Sequence, residues 1–181
     1  MPRQIKISLS VGSVREAQKQ LEQYKKDLIA KCEKFCRRLA DKGITVAKQN
    51  VGEYGQYITF AIQTEPTAYG AKGVLYATSG LVTHEWVTAT GVMSADVSPL
   101  LMAEFGSGLR GAINPRAGEF GMGVGTFPGQ THAEDPSGWW YQTLDGVWHH
   151  SYGEEATMPM TRASAEMIDQ IVTTAKEVFG T

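Results

Sequence analysis

The residues with the clearest chemical potential lie toward the C-terminal end: His132, Glu134 and Asp135, then His149, His150, Glu154 and Glu155. Imidazole nitrogens and carboxylate oxygens are the ligands of metal hydrolases. His132, Asp135 and His150 are therefore the set from which a metal-dependent hydrolase, such as a nuclease or a wall-degrading enzyme, would draw. Their placement argues against it. His149 and His150 are neighbours on an expected strand and point to opposite faces, so only one of them can enter a given site. His132 sits in a loop with no defined facing. The expectation is no metal and no cofactor, with solvated loop charges and a hairpin histidine, His150, stacked on Tyr141.

Three further motifs fail for want of context. Gly121-Met122-Gly123-Val124-Gly125 is rich enough in glycine to cradle phosphate. Such a loop must present backbone N–H groups at a helix start, however, and Phe127-Pro128-Gly129 follows instead. Cys32 and Cys36 are the only cysteines. A tetrahedral metal site needs two more ligands, and four-residue spacing on one helix sets Cβ atoms about 5–6 Å apart, where a disulfide would strain the backbone. Core packing as free thiols is their expected role. Ser107, between Gly106 and Gly108, belongs to no Gly-x-Ser-x-Gly elbow and has no histidine placed to activate it.

The totals set the frame for these residues. A chain of 181 residues with 42% hydrophobic and 20% charged content is expected to fold as a single domain over residues 1–181. A net charge of −2 denies it the cationic field of a nucleic-acid binder. Sequence-specific nucleic acid is not an expected partner, and only passive contact with passing DNA is left open. No apolar run approaches the roughly 20 residues of a membrane helix.

The elements follow from periodicity. Ile5 to Val11 alternates apolar and polar residues, which predicts a leading strand within 1–12. Ser13-Val14-Arg15-Glu16 has the form of a capping box. The apolar positions Val14, Ala17, Leu21, Tyr24, Leu28, Cys32, Phe35 and Leu39 then recur at three and four residues, predicting a long amphipathic helix over 13–42. Gly43 is either its cap or a kink, since Ile44 to Val51 still permits a helical turn or two. The stripe is expected to pack within the chain rather than to form a coiled-coil seam. Between 57 and 90, Tyr57 to Ile62, Val74 to Thr78 and Glu85 to Thr90 read as strands of an antiparallel meander. Ser98, Pro99 and Gly106 predict a helix of about two turns with an N-cap, a proline at its first position and a glycine past its end.

Residues 106–138 hold nine glycines, a density expected to leave an extended loop without regular structure. Asp145-Gly146 then predicts a hairpin over 139–152 with a two-residue type I′ turn. Its register would pair Leu144 with Val147, Thr143 with Trp148, Tyr141 with His150 and Trp139 with Tyr152. The aromatic residues Trp139, Tyr141, Trp148 and Tyr152 would share one face, serving either as half of a sandwich core or as a hot-spot surface for another subunit. Met160, Ala163, Met167, Ile171, Ala175 and Val178 predict a terminal helix over 158–179.

Two short stretches carry a resemblance: Ala103-Glu104-Phe105-Gly106, and Pro159-Met160 with Ala163 opening the last helix. In their order with the long first helix, the strands, the glycine-rich loop and the aromatic strand, residues 14 to 178 resemble the neck or tail-completion proteins of long-tailed siphophages, minor tail components of the head-to-tail junction. The leading strand and the long glycine-rich loop depart from that pattern. The resemblance implies a structural virion protein, not an enzyme, made in the host cytoplasm. It would assemble as a homo-oligomer, a hexameric ring, with other phage neck and tail proteins as partners. Glu104, Phe105, Gly106, Phe127, Pro128, Trp139, Tyr141, Trp148 and Tyr152 are the expected subunit interface. A small host-protein-binding module using the aromatic hairpin is the other non-enzymatic alternative. The fold class expected is α+β: an antiparallel sheet of five or six strands packed on the first and last helices.

Overall fold

The computed structural model describes residues 8, 10–111, 114–120 and 135–180. The fold is α+β. A long helix α1 (Val11–Asn50) leads to a 3-10 turn at Gly52–Gln56 and to strands β1 (Ile58–Thr67), β2 (Gly70–Ser79), β3 (Val82–Thr88) and β4 (Gly91–Val97). Helix α2 (Pro99–Phe105), strands β5 (Trp139–Gln142) and β6 (Trp148–Ser151), and helices α3 (Pro159–Asp169) and α4 (Ile171–Phe179) complete it. Among the described residues, no helix is long and apolar enough to cross a membrane. The six strands form two sheets, β1-β2 and β4-β3-β5-β6, rather than one.

The chain gathers into two compact units, 1–42 with 62–75 and 167–181, and 43–61 with 76–166. In the first unit the two halves of the α1 stripe behave differently. From Cys32 onward it packs: Phe35 meets Phe179 with ring centroids 5.9 Å apart, and the Cys36 thiol donates to the Ala71 carbonyl at 3.7 Å. A Cβ at Gly73 would come within 2.9 Å of the Cys36 Cβ, so this strand lies against the helix where only glycine fits. Lys42 reaches Gln170 at 3.0 Å and Glu177 at 3.4 Å. Both cysteines are free thiols. Burial, and then the neighbouring Cys32, raise the pKa of Cys36. Ahead of Cys32, in contrast, Val14, Leu21, Tyr24 and Leu28 are exposed and only Ala17 is buried, so the expected intramolecular packing is incomplete there.

The start of α1 corrects the expected capping box. Ser10, not Ser13, caps the helix: its Oγ accepts from the Ser13 N–H at 3.2 Å, and its carbonyl accepts from the Val14 N–H at 3.1 Å. Ser13 Oγ instead accepts from the Ser8 N–H at 2.8 Å. Val11 and Gly12 are therefore helical, and the rest of the expected strand, bar Ser8 and Ser10, lies outside the described residues. Gly43 neither caps nor ends the helix, which continues to Asn50.

In the second unit Val51, Ile58 and Ala103 form the buried cluster, with Tyr54, Phe60, Ala77 and Leu100 packed on it. Helix α2 follows its sequence closely. Ser98 Oγ accepts from Leu101 N, Pro99 opens the helix and Gly106 ends it at φ 67°. Strand β4 was not expected. It pairs with β3 from Thr88↔Gly91 to Val82↔Val97 across the turn Ala89-Thr90, so the strand read as Glu85 to Thr90 starts earlier and stops at Thr88. Two short 3-10 turns, Gly108–Gly111 and Ala117–Phe120, occupy part of the stretch expected to lack regular structure. The expected terminal helix is divided at Gln170, whose backbone (φ −88°, ψ −2°) departs from the helical values.

Candidate functional site

The strongest polar constellation is built around Glu104. Helix α2 carries this residue into the interior, where it is 8% exposed, and Gly106 then turns the chain away. Glu104 Oε2 accepts from Met160 N at 2.8 Å, and Oε1 accepts from Thr161 N at 3.0 Å and from Thr161 Oγ1 at 2.5 Å. These N–H groups belong to the first turn of α3, whose Pro159 has none to offer. A side chain from 56 residues away thus caps a helix, and the positive end of the helix dipole offsets the cost of burying the carboxylate. Asn114 Nδ2 adds bonds to Glu104 Oε1 at 3.2 Å and to its carbonyl at 2.8 Å. Around this node the Thr157 and Met158 N–H groups both donate to the Ala103 carbonyl at 2.9 Å. Ser107 and Glu154 exchange a pair of backbone bonds at 2.9 and 3.1 Å.

The arrangement brings together the two stretches that carried the resemblance, 103–106 and 159–163. It also corrects the expected interface. Glu104, Phe105 and Gly106 are buried in the second unit and present no surface. Glu104's oxygens are occupied by internal donors, so the residue fixes where α3 begins.

The aromatic hairpin is the second candidate, and its register differs by one from the expected one. The observed pairs are Trp139↔Ser151, Trp140↔His150, Tyr141↔His149 and Gln142↔Trp148. The cause is the turn. Gly146 N donates to the Thr143 carbonyl at 2.9 Å and Thr143 N to the Val147 carbonyl at 3.0 Å. With Gly146 at φ 85°, this is a three-residue loop with a glycine bulge rather than a two-residue turn. Asp145 holds it, accepting from Thr143 Oγ1 at 2.5 Å and from Val147 N at 3.3 Å. Those two bonds lower the Asp145 pKa.

A one-residue slip exchanges faces. Trp139 and Tyr141 share one face with His149 and Ser151, while Trp140, Trp148 and His150 share the other. The expected single face of Trp139, Tyr141, Trp148 and Tyr152 is therefore divided. His150, expected on Tyr141, stacks on Trp140 at 4.6 Å and meets Tyr152 edge-on at 4.6 Å; Tyr141 carries His149 at 5.3 Å. Trp140, absent from the expected interface, is 64% exposed and Trp148 61%. The missed signal lay in Thr143-Leu144-Asp145-Gly146, where a threonine able to bond the aspartate favours the longer loop.

Of the metal set, only Asp135 and His150 lie among the described residues. His132 lies outside the described residues, as do Phe127 and Pro128. Asp135 Oδ1 accepts from Ser137 N at 2.9 Å and Ser137 Oγ at 2.6 Å. His150 Nε2 bonds the Ser137 carbonyl at 2.8 Å. Among the described residues, no group of three or more His, Cys, Asp or Glu residues could hold a metal ion. A cleft of about 300 Å³ in the second unit is lined by Glu53, Tyr54, Arg110, Glu154, Glu155 and Thr157 among others. Burial, and then the Glu53 carboxylate, raise the Glu154 pKa. Sequence reasoning did not bring Glu53 to Glu154, for nothing local joins them. No protein-family model, curated protein or solved structure matches this chain.

Proposed function

We propose that this chain is a structural subunit of a siphophage head-to-tail junction, which works by associating with copies of itself and with other neck and tail proteins, in a ring, rather than by catalysis. The observation that carries the reading is the exposed aromatic face of the β5–β6 hairpin, Trp140, Trp148, His150 and Tyr152, on an edge of the four-stranded sheet. Large aromatic side chains clustered in the open are the residues that dominate association energies once a partner covers them. A ring subunit needs such a surface to meet its neighbour. The contact between 103–106 and 159–163 supports the resemblance from a second direction, since the residues that suggested it act together through Glu104.

The same face suits one other reading, a monomeric module that captures a host protein. Native mass measurement of the purified chain, alone and mixed with tail proteins of the same phage, separates the two. The junction reading expects a closed oligomer, or one that forms on mixing. A chain that stays monomeric in both conditions sinks it.

A further inference from the structure

We infer that copies of this chain join by extending the four-stranded sheet, the β6 edge of one copy pairing antiparallel with the β4 edge of the next. The inference rests on the junction reading above and adds how its copies meet. Strands β4 and β6 end the order β4-β3-β5-β6, so each has a single strand neighbour among the described residues. A bare strand edge offers a row of unpaired N–H and C=O groups, and folds commonly blunt it with lysine, proline or a bulge. Strand β4 has none of these. Gly91 to Val97 contains no lysine and no proline, and it pairs with β3 at all seven positions without a bulge. Its one charge, Asp96, is tied to Thr83 Oγ1 at 2.7 Å, and every residue from Gly91 to Asp96 is exposed.

The pairing pattern fixes which groups the two edges offer. Val87 pairs with Gln142, so the backbone groups of these two residues point at each other between β3 and β5. Those groups alternate in direction along an antiparallel strand. Val92, Ser94 and Asp96, opposite Val87, Glu85 and Thr83, therefore turn their N–H and C=O away from β3. Trp148 and His150, opposite Gln142 and Trp140, likewise turn theirs away from β5. All five side chains lie on one face of the sheet, the face of Trp140. Since β3 is antiparallel to both β4 and β5, and β5 to β6, the two edges run in opposite directions. A second copy set beside β6 in the same orientation thus presents an antiparallel β4 whose outward groups meet those of Trp148 and His150. It also continues the apolar face, bringing Val92, 60% exposed, to the side of Trp148. Two residues of β6 give too few backbone bonds to hold two chains alone, which is why the tryptophans on the same face matter. Two unlike edges on one sheet are what a head-to-tail contact in a ring requires.

Ser94→Pro tests the edge itself. The substitution removes an outward N–H and leaves the bonds between β3 and β4 in place, as proline does on an edge strand. The variant alone should run as a single chain of 19.7 kDa under conditions where the parent associates, with far-UV circular dichroism and Tm as in the parent. Val92→Lys, a side-chain change at an exposed position, should weaken association at least tenfold with the fold intact, so the test survives if the proline variant misfolds. In the associated parent, amide hydrogen exchange over 91–97 should slow relative to the single chain. Ser94→Pro keeps its β6 edge and should still join the parent in a mixed species; a variant that joins no parent chain overturns the head-to-tail pairing in favour of β4 against β4. A parent that stays single with tail proteins present and absent overturns this inference together with the junction reading. A parent that associates while Ser94→Pro and Val92→Lys associate equally well, or with exchange over 91–97 unchanged, overturns this inference alone.

Discussion

Glu104 and Trp148 occupy each other's customary environments. Glu104 is buried and bonded on both carboxylate oxygens. Trp148 lies 61% exposed on an edge strand. The difference lies in what each side chain is given. Glu104 receives backbone and side-chain donors together with a helix dipole, so burial leaves it satisfied. Trp148 receives no such enclosure, and its exposed ring is surface that a partner would remove from water. In this molecule the acidic residue expected at an interface is architectural, and the tryptophan that could have been core or interface is left in the open.

Removing Glu104 should have the largest effect. Glu104→Ala strips the first turn of α3 of its acceptors and takes from Asn114 one of its side-chain partners, at a cost of about 3 kcal/mol, to be read from urea unfolding. If the variant unfolds at the parent's midpoint, the cap does not hold in solution and the contrast with the hairpin collapses. Trp148→Ser should do the reverse. Its stability should stay within about 0.5 kcal/mol of the parent, while the association proposed for the hairpin face weakens by about 2 kcal/mol, roughly thirtyfold in dissociation constant. Loss of stability with unchanged association would place Trp148 in the fold's own packing instead.

How much of this was readable depended on the range of the interaction. Helix α2 was fully legible because Ser98, Pro99 and Gly106 act within their own turn. The hairpin was legible as a hairpin but not in register, since Asp145-Gly146 suits two loop lengths and the choice falls to the Thr143 hydroxyl. One residue of error there moved Trp140 from unnoticed to the most exposed tryptophan of the face. Strand β4 was missed because Gly91, Ser94 and Asp96 suppress its β signal, and its pairing with β3 supplies what local preference lacks. The Glu104 cap was beyond reach, because nothing near Glu104 in sequence announces the first turn of α3.

Thr174 sharpens the contrast from the opposite side. It is buried on α4, and among the described residues its hydroxyl has no hydrogen-bond partner. Glu104 shows that a polar group can be kept inside when donors are brought to it; Thr174 keeps the desolvation penalty without that return. Thr174→Val preserves the shape and removes the hydroxyl, so it should raise stability by about 1 kcal/mol in urea unfolding. A loss of stability would mean that the hydroxyl is satisfied in solution.

Glu154 stands between the two extremes, half-buried in the cleft beside Glu53. Burial and then Glu53 raise its pKa, so the folded chain holds this proton more tightly than the unfolded chain does. Between the ordinary glutamate value and the raised one, the folded state binds more protons. Stability contributed by the protonated group is therefore present at low pH and lost as pH rises through that window. Glu154→Gln cannot ionise, so its stability relative to the parent should increase from about pH 4 to pH 7. Solvent screening keeps the gain smaller than any effect above. Urea unfolding of both chains at the two pH values reads it directly. If glutamine weakens the chain more at pH 7 than at pH 4, the carboxylate is stabilised by the Arg110 that shares its cleft. Glu154 would then belong with Glu104, among the acids whose partners the fold provides.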